Sequence, residues 1–199
     1  PYGKLLALSG KNDEAKFQLD LATKAFRDKR TAHAVFAGFD PMLPPEMFTE
    51  KSIRNHFDEQ TRELFLSLAA IELSQIYINE HKLDAASTLL LQALSAKSEA
   101  NEFSLPARLN EKLARVEMAS GNLEAADKYL AQAELATKQG HAQGVPVVEI
   151  LSSLGDLRMQ QNRKDDARAY YQDAADKLAK MLGPHNQRVI KLRQLSSSI

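Results

Sequence analysis

Along residues 115–133, RVEMASGNLEAADKYLAQA, the apolar positions read as the end of one helix, a tight Gly-Asn turn and the start of another. The second half of this unit recurs. SGNLEAADKYLAQA at 120–133 is matched by EHKLDAASTLLLQA at 80–93, QNRKDDARAYYQDA at 161–174 and SGKNDEAKFQLDLA at 9–22. Three columns of small residues hold the alignment: Gly3, Ser74, Ala114 and Gly155; Ala15, Ala86, Ala126 and Ala167; and Ala22, Ala93, Ala133 and Ala174. Every column shows successive spacings of 71, 40 and 41 residues. Three columns in one register point to a genuine repeat rather than to alanine-rich drift.

Antiparallel helices approach to about 8–10 Å only where small side chains meet. Larger residues between the small ones (Leu73, Leu113, Leu154, Leu90, Leu130 and Tyr171) are the candidate core. One hairpin cannot bury its apolar face alone, so neighbouring hairpins are expected to stack into a solenoid. Residues 62–79, RELFLSLAAIELSQIYIN, predict a strongly apolar first helix of the second unit. At the C-terminal end, NQRVIKLRQL over 186–195 predicts one more helix, with Val189, Ile190 and Leu192 on the last hairpin and Arg188, Lys191 and Arg193 outward. That suits a cap, or the start of another unit in a longer chain. The long gap between the first two units leaves 31–63 as an irregular or degenerate hairpin, or as the front of one long helix ending at Asn79. Phe36, Phe39, Met42 and Phe48 make it the most aromatic stretch. They are read first as core, and otherwise as a hydrophobic contact surface for a partner or a second copy.

The Leu-small pairs (Leu73-Ser74, Leu113-Ala114, Leu154-Gly155), the polar or Gly turn, and Ala followed by Ala seven residues on resemble the tetratricopeptide repeat, or TPR. The characteristic Trp is absent, and Glu117 and Arg158 stand where Tyr77 supplies the expected aromatic. The period of 40–41 resembles the longer variety found in kinesin light chains and bacterial signalling regulators, as does the link Leu182-Gly183-Pro184-His185. The resemblance implies an all-α, right-handed superhelical solenoid with a C-terminal capping helix. It makes 1–199 one domain, with units at about 1–30, 64–100, 105–140 and 147–182 and a cap at 186–199.

Composition narrows the function classes. Lys plus Arg and Asp plus Glu both number 26, so there is no one-sided basic field of the kind that binds nucleic acid. There is no cysteine and no apolar run of membrane-spanning length. Five histidines (33, 56, 81, 141 and 185) show no metal-ligand spacing; His56, Glu59 and Glu63 read as an exposed polar face. His81 falls in a turn where Gly121 and Asn162 stand in sister units. No phosphate loop or catalytic motif appears, so neither an enzyme nor a cofactor is expected. The chain starts at Pro1, without an initiator Met or a signal-peptide pattern, and reads as a piece of a longer protein. The cytoplasm is the expected compartment and the periplasm the alternative.

Function then rests on the groove that the resemblance implies. The family pattern places Leu68, Ile71, Gln75, Ile78 and Asn79 on its wall in the second unit. It places Arg108, Glu111, Arg115 and Met118 there in the third, and Glu149, Ser152, Asp156 and Met159 in the fourth. The Lys, Asn, Lys, Arg clamp of chaperone-binding members is not matched. The expectation is a non-enzymatic scaffold that holds a peptide or helix of a protein partner in this groove. One alternative is a regulatory or sensor domain of a larger bacterial signalling protein, binding a small ligand or peptide. The other is a homo-oligomerisation module, making a homodimer through the aromatic stretch.

Overall fold

The computed structural model describes residues 13, 14, 16, 17, 59–95, 105–139 and 144–199. Among them the regular elements are seven helices with complete bounds and no strand. The chain divides into two compact units, Pro1–Ala100 and Asn101–Ile199. The first unit contains α1 (Glu59–Asn79) and α2 (Leu83–Ser95); the second contains α3 (Leu105–Ala119), α4 (Leu123–Gln139), α5 (Val145–Gln160), α6 (Lys164–Leu182) and α7 (Gln187–Ser197).

In the first unit α1 packs on α2 as a hairpin. Ala69, Leu73 and Ile76 recur at helical spacing and form its core, with Tyr77 and Leu89 against them. Two of the three small-column residues of this hairpin, Ser74 and Ala86, are fully buried, while the third, Ala93, is half-buried. The Ser74 hydroxyl donates to the Ile71 carbonyl at 2.8 Å, so its burial leaves no unmet donor. Lys16 lies 4.9 Å from the Tyr77 ring centre and 3.3 Å from Glu80 Oε2.

In the second unit each helix packs on the next, and α3 also reaches α5. One core joins α3, α4 and α5 through Ala107, Ala114, Leu130, Ala133, Ile150 and Leu154. A second joins α5, α6 and α7 through Val148, Leu151, Tyr171, Leu178, Val189 and Leu192. Helix α5 thus serves both cores, which is the solution a stacked repeat demands of a helix with neighbours on two sides. Val189 and Leu192 seat α7 as expected, while Ile190 is only half-buried.

The three turns are built alike. His81, Gly121 and Asn162 have φ of 57°, 81° and 58°. The N–H of His81 donates to the Ile78 carbonyl and that of Lys82 to the Tyr77 carbonyl. The N–H groups of Gly121 and Asn122 reach Met118 and Glu117, and those of Asn162 and Arg163 reach Met159 and Arg158. This paired closure satisfies the last carbonyls of each first helix. The carbonyls of Lys82, Asn122 and Arg163 then accept from Ala86, Ala126 and Ala167, the second small column, and so begin each second helix. Among the described residues each unit is all-α and built from helical hairpins. The aromatic stretch with Phe36, Phe39, Met42 and Phe48, and nearly all of the first unit of the repeat, lie outside the described residues.

Candidate functional site

The first helices of successive hairpins in the second unit, together with α7, line a cleft of about 360 Å³. Helix α3 contributes Lys112 and Arg115. Helix α5 contributes Val148, Glu149, Ser152, Ser153 and Asp156, and α7 contributes Arg188, Lys191, Leu192 and Leu195. The spacings 149, 152, 153, 156 and 188, 191, 192, 195 are those of a single helix face.

Behind the cleft sits a buried acid. Glu111 is 1% exposed. Its Oε1 accepts from the Ser153 hydroxyl at 2.6 Å, bridging α3 to α5. Lys112 Nζ stands 2.9 Å from Oε2, an ion pair off the hydrogen-bonding direction, so Oε2 has a countercharge but no hydrogen bond. Arg115 Nη1 is 3.9 Å from Oε1. An unpaired buried carboxylate would cost several kcal/mol, so the two cations and the hydroxyl account for its placement. One turn further along α5, Asp156 Oδ1 accepts from the Tyr171 hydroxyl at 2.6 Å. Burial, and then this carboxylate, push the Tyr171 phenol well above the ordinary range, so it stays a protonated donor. Arg188 Nη2 lies 3.9 Å from Glu149 Oε1.

Of the positions drawn from the sequence, Arg115, Glu149, Ser152 and Asp156 come together around this cleft. Glu111 lies beneath it rather than on its surface. Met118, 8% exposed, packs in the core with Ile150 and Leu154, because its face of α3 turns toward α5. Met159 packs against the second core, and Arg108 is half-buried; neither lines the cleft. In the first unit Ile71 is buried at 1% exposure, Leu68 and Ile78 are half-buried, and the Gln75 side chain donates to Asn79 Oδ1 at 3.1 Å. Sequence reasoning missed Lys112, Val148, Ser153, Leu192 and Leu195 as lining and read α7 as a cap or the start of another unit, not as a wall of the cleft. The basic pair Arg188 and Lys191, one turn apart, was the available signal.

Among the described residues no group of three or more His, Asp or Glu is placed to hold a metal ion. None of the described helices is long and apolar enough to cross a membrane. The side chains lining the cleft offer ion pairing, hydrogen bonding and apolar contact. A family model described as a tetratricopeptide repeat-like domain matches residues 49–197. Comparison with curated proteins and with solved structures returned no match.

Proposed function

The chain belongs to the tetratricopeptide repeat-like family, and on that premise we propose that it is a non-catalytic interaction scaffold holding a segment of a protein partner in the cleft of α3, α5 and α7. One observation carries this reading. Three helices remote in sequence turn charged, hydroxyl and apolar side chains to one cleft, where Val148 and Leu192 also belong to the core beneath. Such a mixture fits an amphipathic or extended segment with both apolar anchors and charges.

The experiment is selection of a phage-displayed random dodecapeptide library on the whole chain, with two variants as counter-screens. Ser152→Trp fills the cleft floor with an indole. Leu135→Ser alters an exposed residue of α4 outside the cleft. Selected peptides are expected to lose at least ~10-fold in affinity on Ser152→Trp and to keep it on Leu135→Ser. Peptides indifferent to Ser152→Trp would place recognition elsewhere and end this proposal.

A further inference from the structure

We infer that the segment held in the cleft is acidic, with at least two Asp or Glu side chains flanking an apolar residue; this rests on the scaffold reading above. Positive charge outweighs negative charge around the cleft. The cleft is lined by four cations, Lys112, Arg115, Arg188 and Lys191, and two anions, Glu149 and Asp156. Asp156 accepts from the Tyr171 hydroxyl, a neutral donor, and so keeps its negative charge. Glu149 has Arg188 within 3.9 Å. Glu111, the third acid nearby, is sealed under the surface, where it neutralises Lys112 at 2.9 Å.

The lining is net positive, and three of its four cations make no ion pair shorter than 3.9 Å among the described residues. The Arg115 side chain is 39% exposed and holds Glu111 only at 3.9 Å. The Arg188 side chain is 54% exposed, and its contact with Glu149 is equally long. Lys191 is exposed and has no charged partner among the described residues. The long contacts leave guanidinium donors free to form the shorter, forked bonds that a carboxylate accepts. The cations come from two separate helices, α3 and α7, so a segment with two carboxylates can offer one to each group. Leu192 and Leu195 lie on the same face of α7 as Arg188 and Lys191, so an apolar side chain between the acids has a place to pack.

Two defined probes test this by fluorescence anisotropy: an acetylated, amidated Glu/Leu peptide and its Lys/Leu counterpart of equal length and apolar spacing. The amidated end removes the terminal carboxylate, so any preference belongs to the side chains. The Glu/Leu peptide is expected to bind at least ~10-fold tighter, with affinity falling as salt rises. That advantage should vanish in the Arg115→Glu, Lys191→Glu double variant. If the double reversal does not fold by circular dichroism, the Arg115→Gln, Lys191→Gln pair carries the same expectation. Equal or tighter binding of the Lys/Leu peptide, or an unchanged Glu/Leu affinity in the folded variant, overturns the inference. Library peptides that depend on Ser152 but are neutral or basic sink the acidic segment and leave the scaffold standing. Absence of any Ser152-dependent peptide removes both.

Discussion

A Cβ built on Gly155 would stand 2.6 Å from a ring carbon of Tyr171, closer than real contacts allow. In the sister hairpins the same columns hold Ser74 with Leu90 and Ala114 with Leu130. The last hairpin therefore carries a larger residue on its second helix and a correspondingly smaller one on its first. This compensation fits the near-crystalline density of protein interiors. Gly155→Ala is expected to destabilise by ~1–3 kcal/mol, the usual cost of overpacking. Adding Tyr171→Leu should raise the thermal midpoint above that of Gly155→Ala alone, since the pair then copies Ala114 and Leu130. A double variant less stable than the single one would show that the two positions do not compensate. The small column was legible in the sequence. That its smallest member faces its largest partner was not, because size matching is a relation between helices and no single column displays it.

At the scale of the element, the hairpin turn is the most regular feature. His81, Gly121 and Asn162 occupy one column, and all three take positive φ. A left-handed conformation costs a non-glycine residue roughly 1–2 kcal/mol, least for Asn and more for His. His81→Gly is accordingly expected to stabilise the protein by ~0.5–1 kcal/mol, while Gly121→Ala should destabilise it by a similar amount. Nothing lies within 4 Å of the Cβ position at Gly121, so that loss would be conformational and not steric. Urea titration of both variants checks the signs; a destabilised His81→Gly would mean that the imidazole makes a contact worth more than the backbone strain. Helix α7 shows the limit of reading elements alone. Its apolar residues correctly announced a helix seated on the last hairpin. Its basic residues looked like the outer face of a cap, yet Arg188 and Lys191 line the cleft. One helix has several polar positions, and only its neighbours decide which of them looks into a groove.

For the whole molecule, both cores of the hairpin stack from α3 to α7 and every residue lining the cleft fall within 101–199. A fragment comprising 101–199 is therefore expected to unfold in one cooperative thermal transition and to bind the same library peptides as the full chain. Loss of that cooperativity would show that 101–199 relies on the preceding residues for its stability. The family match, in contrast, begins at residue 49 and so takes in the hairpin of α1 and α2 as well. The sequence by itself determined the hairpins among the described residues and their turns, since helix, turn and helix depend on neighbours a few places apart, and their register, which shows as the same small residues returning every 40 or 41 positions. The cleft was decided by tertiary structure. Glu111 meets Ser153 across 42 positions of sequence, and the cations of α3 and α7 line one cleft with α5, a helix that belongs to both cores. Charge balance over the whole chain is a sum, and a sum of zero says nothing of where packing gathers the positive part.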